Sequence, residues 1–460
     1  MNHSKANLNA TKPPPCDHAA RLIETHFGVE DRQLLISGIS VSKLIEAYGS
    51  PLFVYDEDVV RNRIDTVNDM LPADFELYYS IKANPNAALL RLMLEKGLGL
   101  EVASGGELFQ ALKAGCPAER IIFAGPGKTA PELRAAVAAG IGELHVESVE
   151  EAITLSQICE TTSSSLDISL RINPTDAAGG AMRMGGRPSP FGIDEETLDE
   201  AITRIIDLPC IKLAGIHLFM GTQILDAEVL LNQYQRALCL ARQVALRMDA
   251  PLRSIDFGGG WGTPYFPNEQ CLDLNRVRAV LEQIHSELQQ DPLLCHARPI
   301  IEPGRFLVNE AGVYLSRVTR VKQSRGKTFV VIDGGMHHHL AASGNLGQTI
   351  KRNFPVAIAN QLNSSEKTAT EVVGPLCTPL DTLARSAMLP PTEAGDIFCV
   401  FQSGAYARTS SPHDFLSHPP PPEVIVRQGT SRIVRRRGEP SDLLLDQVIP
   451  ESSRTMHGPP

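Results

Sequence analysis

An α/β fold is what this chain predicts: a (β/α)8 barrel joined to a mainly β C-terminal domain. Three observations predict it. Eight short apolar runs alternate with helical patterns between residues 77 and 302. Beyond about residue 310 the texture changes, and strand-like runs follow one another with few helices between them. At 460 residues the chain is long enough for two domains with substantial cores.

The candidate barrel strands are 77–82, 98–102, 121–124, 143–147, 167–172, 213–219, 253–257 and 298–302. Helical segments separate most of them, at 104–114, 130–139, 148–160, 194–206, 226–247 and 272–289. Within the first, Leu108, Ala111 and Leu112 keep helical spacing. Ser148 and Asp194 are placed to cap helix starts. A doubly wound open sheet fits the same alternation and stays open at this point. In the β domain the expected strands are 313–315, 328–332, 369–373, 397–401 and 423–426, and Leu34–Ile36 and Leu52–Tyr55 are strand-like too. Residues 1–18 and 446–460 read as flexible ends.

Hydrophobic content of 43% and charged content of 21% are ordinary for a soluble globular protein. A net charge of -10 argues against a nucleic-acid surface, and Arg435-Arg436-Arg437 reads as a solvated strand end. Nine cysteines without a CxxC spacing fit a reducing compartment, hence the cytoplasm. The polar, proline-rich start has no apolar signal region, and no stretch of about 18 apolar residues suggests a membrane span.

In a barrel of this kind the chemistry sits at the C-terminal ends of the strands. Lys82, Glu101, Arg171, His217, Gly258 to Gly260 and Glu302 all fall at or just after a candidate strand end. Each has a bland reading as well. Lys82 could be a solvated strand-end lysine, or an amine with a covalent role. Glu302 could be a plain turn carboxylate before Pro303-Gly304. Gly258-Gly259-Gly260 could be a flexible loop, or a place where backbone N–H groups approach a phosphate closely. Cys377 could be a small buried hydrophobe, and Glu107 a helix-start carboxylate. His337-His338-His339 invites a metal reading, but three consecutive residues of a regular strand do not face one ion, so no metal site is expected.

Several segments join these residues in a fixed order. They are Leu77-Tyr78-Tyr79-Ser80-Ile81-Lys82-Ala83-Asn84-Pro85, His217-Leu218-Phe219-Met220-Gly221-Thr222, Asp256-Phe257-Gly258-Gly259-Gly260, Glu302-Pro303-Gly304-Arg305, Gly374-Pro375-Leu376-Cys377 and Gly404-Ala405-Tyr406. From about residue 35 to about residue 445 the chain resembles the fold III, alanine racemase-like barrel decarboxylases that use pyridoxal 5'-phosphate. That family includes the diaminopimelate and ornithine decarboxylases. The resemblance implies an N-terminal segment 19–56 that lends strands to the β domain, a cofactor-binding barrel over 57–311 and a β domain over 312–445. It implies that Lys82 carries the cofactor aldehyde as a Schiff base. Glu302 would face the pyridine nitrogen and Arg305 would support the phosphate region. Gly258, Gly259, Gly260, Thr222 and Tyr406 would hold the phosphate, with Glu107 and Arg171 near the cofactor. Cys377 would return a proton to the substrate, and Cys377 and Tyr406 would reach the site of the other chain in a homodimer. Glu101, His337 and Thr378 are candidate substrate contacts.

The chain departs from the pattern in three places. Phe219 stands where a histidine usually stacks on the cofactor ring; it can stack but supplies no proton. His217 is expected on the opposite strand face. Thr378 stands where diaminopimelate decarboxylases have a glutamate. Asp333-Gly334-Gly335-Met336 runs into the three histidines where they have an Arg-Pro pair and a tyrosine. The groups that grip a distal zwitterion are thus missing from their usual places, unless Arg183, Arg187 or Arg408 compensates. Met182-Arg183-Met184-Gly185-Gly186, the histidine run, Phe401 to Tyr406 and Phe415-Leu416-Ser417-His418-Pro419 resemble a narrower branch. It holds the exosortase-associated decarboxylases and a butirosin-pathway decarboxylase whose glutamyl substrate rides on an acyl-carrier protein. The expected activity is therefore removal of the α-carboxylate of an amino acid, free or carrier-bound. The alternatives are a meso-diaminopimelate decarboxylase of lysine biosynthesis, a racemase on the same barrel, and a non-catalytic decarboxylase-like regulator.

Overall fold

The structure is a computed structural model, and it describes residues 17–175, 182–183 and 188–448. The remainder of the expected flexible ends, and most of the Met182–Gly186 run, lie outside the described residues.

All eight expected barrel strands are present. After β1 (Leu52–Asp56), which belongs to the β domain, they are β2 (Glu76–Ser80), β3 (Gly99–Val102), β4 (Ile121–Phe123), β5 (Glu143–Val146), β6 (Leu166–Asn173), β7 (Ile211–His217), β8 (Ser254–Asp256) and β9 (Arg298–Ile301). Their order in the sheet is β6-β7-β8-β9-β2-β3-β4-β5, and β5 pairs again with β6. That last pairing closes a parallel barrel and excludes the open-sheet alternative. Strands β7 and β8 are in register at His217 and Asp256, which sets both residues at one level of the barrel.

Local chemistry explains the helices. Ser148 accepts a hydrogen bond from the Glu151 N–H at 3.1 Å and starts α-helix Val149–Thr162. Asp194 starts only a short 3-10 turn, without a side-chain cap, before helix Leu198–Ile205. The structure adds helices Glu57–Met70 and Ala87–Glu95 to those expected. The first carries buried Val60, Ile64 and Val67 at helical spacing. The second is a nearly continuous apolar run without clear period, and Asn86 caps it through the Ala88 N–H.

The mainly β sheet has the order β13-β12-β11-β10-β1-β15-β16. Its later strands are β10 (Gly312–Ser324), β11 (Lys327–Ile332), β12 (Thr368–Val373), β13 (Thr382–Leu389), β14 (Ile397–Val400), β15 (Glu423–Arg427) and β16 (Thr430–Arg435); β14 pairs with β10 off this path. Strand β1 runs antiparallel to β10 and parallel to β15, and every residue of it is buried. Its unbroken Leu52-Phe53-Val54-Tyr55 run is that of a strand covered on both faces.

The chain forms two compact units. One holds the residues up to Phe27 with Val67–Tyr78 and Ile122–Phe306; the other holds Gly28–Thr66, Tyr79–Ile121 and the residues from Leu307. The assignment of residues 79–121 to the second unit was not anticipated.

Candidate active site

Lys82 lies not in a strand, as its sequence position suggests, but in the single 3-10 turn Ile81–Ala83 that follows β2. Its side chain is 42% exposed, and Nζ is 2.9 Å from Glu101 Oε2. Glu101 ends β3 and is buried, and the Ser80 hydroxyl donates to the same oxygen. The carboxylate named above as a candidate substrate contact is thus set beside the lysine. Glu107 opens helix Gly105–Ala114. Its carboxylate accepts from the Ala103 N–H at 2.7 Å, and its own N–H donates to Ser104 Oγ at 3.2 Å. Burial pushes the Glu107 carboxyl up; the Ala103 hydrogen bond opposes this, Glu101 adds to it, and Lys82 counters it.

Tyr406, expected in the other chain's site together with Cys377, donates its backbone N–H to Ala83 O at 2.9 Å. Asn84 Nδ2 donates to Gly404 O at 3.0 Å, so the 404–406 loop is tied twice to the lysine turn. The left-handed backbone at Tyr406, φ +51, turns the loop there.

The barrel carries the second group of residues. Glu302 is 5% exposed, and its Oε1 lies 2.9 Å from His217 Nε2. His217 ends β7 and meets this carboxylate, while Phe219 lies past the strand's end, where strand alternation no longer sets its face. Arg171 gives its Nη1 to Glu147 Oε1 at 2.7 Å and lies over the Phe191 ring at 4.9 Å. Its guanidinium is thus committed to an ion pair. Thr222 stands in the two-residue strand Gly221–Thr222, and Phe219 follows β7. Arg305 Nη1 donates to Tyr265 Oη at 2.7 Å. Only glycine fits the loop after β8. A Cβ at Gly259 would stand 2.3 Å from Glu302 O, and one at Gly260, φ +85, 2.5 Å from Gly221 O.

The third group belongs to the β domain. The histidine run lies in a turn, not a strand, with the N–H groups of His338 and His339 both donating to Gly335 O. All three rings are buried. His337 and His338 have centroids 3.7 Å apart, His418 is 4.9 Å from His337, and His413 is 6.1 Å from His338. His339 Nε2 is 3.0 Å from Ser403 Oγ. Neither ring nitrogen of His337 has a hydrogen-bond partner among the described residues. Burial lowers His337 to about 3, with His418 and His413 adding to it, and burial alone takes His339 to about 3. His413 is lowered to about 4 by burial and by Arg408. His338 is also lowered, by burial and then by His337. Cys377 is exposed. Thr378 Oγ1 accepts from the Leu380 N–H at 3.3 Å. Of the arginines named as compensating charges, Arg183 and Arg187 have side chains outside the described residues. Arg408 is partly buried beside Glu423, and its Nε donates to Pro421 O at 3.5 Å.

Four residues were missed by sequence reasoning. Asp381 is buried and accepts from the Met336 N–H at 2.6 Å and the Leu376 N–H at 2.9 Å, joining the histidine turn to the Cys377 loop. Glu143, His145 and Asp256 lie in the barrel core. A strand-interior Glu and His in Glu143-Leu144-His145-Val146 was the available signal, since charged residues on a buried strand require partners. His145, His217 and Asp256 bring ligand-type atoms within 4.8 Å of one another. His217 and His145 also lie close to the carboxylates of Glu302 and Glu143, and we assign the cluster to charge pairing.

These residues fit pyridoxal phosphate. Each is of the type that cofactor needs: the lysine is accessible beside a carboxylate, a loop that admits only glycine follows β8, and Glu302 is a buried carboxylate. Comparison with known proteins agrees. Residues 57–309 match the model of the pyridoxal-dependent decarboxylase family, its pyridoxal binding domain. The chain is 36% identical to the L-glutamyl-[BtrI acyl-carrier protein] decarboxylase of Niallia circulans, over 90% of this chain and 97% of that protein. It is 32% identical to the diaminopimelate decarboxylase of Methanothermobacter thermautotrophicus, over 91% and 96%. The crystal structure of Helicobacter pylori diaminopimelate decarboxylase with L-lysine superimposes with a TM-score of 0.77 at 28% identity, covering 88% of this chain and 98% of that one. The barrel with its β domain is thus that of a fold III decarboxylase. The chain belongs to the pyridoxal-dependent decarboxylases; it is a carboxy-lyase whose cofactor is pyridoxal 5'-phosphate. Among the described residues no helix is long and apolar enough to cross a membrane.

Proposed function

We propose that this enzyme removes the α-carboxylate of an amino acid whose distal end is an uncharged acyl group, as when it is held as a thioester on a carrier protein. The observation that carries this reading is the neutral histidine turn. His337 to His339 occupy the segment where the diaminopimelate enzymes keep cationic grip, and burial holds these imidazoles uncharged. Neutral imidazoles suit a carbonyl and give a distal carboxylate or ammonium no counter-charge. Similarity to a decarboxylase named for a glutamyl carrier protein supports the same class. An α-decarboxylase needs the α-amine and α-carboxylate free, so a glutamyl substrate would be linked to its carrier through the side-chain carboxyl.

When bound, the cofactor supplies the electron sink for the pair left on Cα. Lys82 would be the amine that holds it, with Glu101 beside Nζ as the partner of its ammonium. By resemblance, Glu302 would brace the ring nitrogen. Gly258 to Gly260, Thr222, Arg305 and Tyr406 would hold the phosphate, Phe219 would stack by its face, and Glu107 and Arg171 would lie near the cofactor. The Cys377 thiol would be the proton donor to Cα. The exposure of Cys377 supports a homodimer in which it serves the partner's site. The uneven cysteines fit a cytoplasmic enzyme. The test is carbon dioxide release from meso-diaminopimelate, lysine, ornithine, arginine, free glutamate and a side-chain-linked glutamyl carrier protein. The carrier form should outpace every free amino acid; meso-diaminopimelate as the best substrate would overturn the proposal.

A further inference from the structure

The barrel core beneath Glu302 holds more charge than a cofactor brace requires. His217 Nε2 is 2.9 Å from Glu302 Oε1. Under His217 lies the ring of His145, with centroids 4.4 Å apart and planes 29° from parallel. His145 Nε2 is 3.4 Å from Glu143 Oε1 and 3.8 Å from Asp256 Oδ2. All five side chains are buried. Beyond them Arg298 Nη2 is 3.4 Å from Glu143 Oε2, and the Ser169 hydroxyl donates to Glu143 Oε1. Asp256 Oδ1 accepts from the Gly258 N–H at 2.8 Å, at the start of the glycine loop. Lys128 meets this group only through the His145 backbone carbonyl, at 2.7 Å.

Two stacked imidazoles this close cannot both be cationic at modest cost. The 2.9 Å approach of His217 Nε2 to Glu302 Oε1 lacks the angle of a hydrogen bond, so it is a close polar contact held by the packing of the two rings.

We infer that His217 is a positioning residue for Glu302, and that His145, packed between Glu143 and Asp256, holds the His217 ring in place against it. This rests on the reading of Glu302 as the ring-nitrogen partner. It goes beyond that reading by giving the brace a supporting layer that spans β5, β7 and β8. The layer keeps Glu302 oriented.

The test uses the cofactor-loaded enzyme and its variants, and reads the pH titration of the visible band of the lysine-bound cofactor together with cofactor dissociation from the reconstituted protein. His217→Leu should weaken cofactor retention by about tenfold and move the band's titration. His217→Gln keeps a polar group beside Glu302 and should restore most of both. His145→Gln removes the ring stacked on His217 and should weaken retention in the same direction as His217→Leu, by less. Glu302→Gln separates the two layers of the argument. If it leaves the band and retention unchanged, the reading of Glu302 itself fails. If it changes both while His217→Leu and His145→Gln change neither, the positioning role is overturned. Stoichiometric zinc in the purified enzyme that is lost in His145→Gln would also overturn it.

Discussion

The barrel and the β domain both bury clusters of imidazoles, and they treat them in opposite ways. In the barrel His145 and His217 are interleaved with Glu143, Asp256 and Glu302, so each ring meets a carboxylate. In the β domain His337, His338, His413 and His418 pack chiefly against one another, and burial drives protons off His337, His338 and His413. The difference is one of partners rather than of residue type. A buried ring beside carboxylates can serve as a fixed charge, whereas rings beside rings stay neutral and offer only hydrogen bonds. The first environment suits the bracing of a charged cofactor, and the second the recognition of an uncharged acyl end.

The largest effect expected is on the barrel side. Lys82→Ala should lower turnover by on the order of 10³-fold or more and abolish the visible cofactor band, as loss of a covalent catalyst does. Near-normal turnover would remove the barrel's central role. The same variant probes what the β domain contributes across a dimer. Mixed with Cys377→Ala subunits and allowed to exchange, it should recover about a quarter of wild-type activity, because one site in each hybrid keeps both groups. No recovery after verified exchange would place Cys377 in its own chain's site.

A smaller effect is expected where Asp381 joins the histidine turn to the Cys377 loop. Asp381→Ala leaves the Met336 and Leu376 N–H groups unpaired in a buried setting and should cost about 2–4 kcal/mol in denaturant unfolding. Its carboxyl is raised by burial, against the pull of those two N–H groups. An unchanged midpoint would mean the turn holds without it.

The smallest effect per step is in pH dependence, and it separates the clusters most cleanly. His337 and His339 are lowered to about 3 and His413 to about 4, all below the unfolded imidazole value of 6.5. Below about pH 6.5 the unfolded chain binds protons that the native rings refuse. Stability from these rings is therefore fully present above about pH 6.5 and falls as the pH drops toward 4 and then 3. The slope is up to about 1.4 kcal/mol per pH unit for each ring. Asp56, raised to about 6 by burial, opposes this: its native carboxyl takes up a proton first as the pH falls. Thermal midpoints measured from pH 8 to 4 should fall more steeply in wild type than in His337→Gln. Equal slopes would show that the β-domain rings are not held neutral.

Much of this was legible in the sequence, and the residues say why. The eight barrel strands stood out because short apolar runs with helical spacers have few other readings. Lys82, Glu302 and the three glycines stood out because their order matched a known pattern. What stayed hidden depends on contacts distant in sequence. Glu101 meets Lys82 only once the barrel brings strand ends together, and Tyr406 reaches Ala83 only through a loop more than three hundred residues later. The histidine run was expected in a strand because Thr328 to Ile332 precede it; Asp333-Gly334-Gly335 ends that strand and makes a turn. Strands β13 and β16 escaped notice because Thr382–Leu389 mixes polar with apolar residues and Thr430–Arg435 buries none of its residues.

The most direct test compares kcat/KM for a side-chain-linked glutamyl thioester on its carrier with that for free meso-diaminopimelate. Loss of two charge-assisted contacts at the histidine turn and Thr378 should set the free diamino diacid back by on the order of several hundred-fold. The account predicts that the thioester is preferred by at least that factor. A preference for meso-diaminopimelate would contradict it, and would mean that the neutral histidines of the β domain do not select the substrate's distal end.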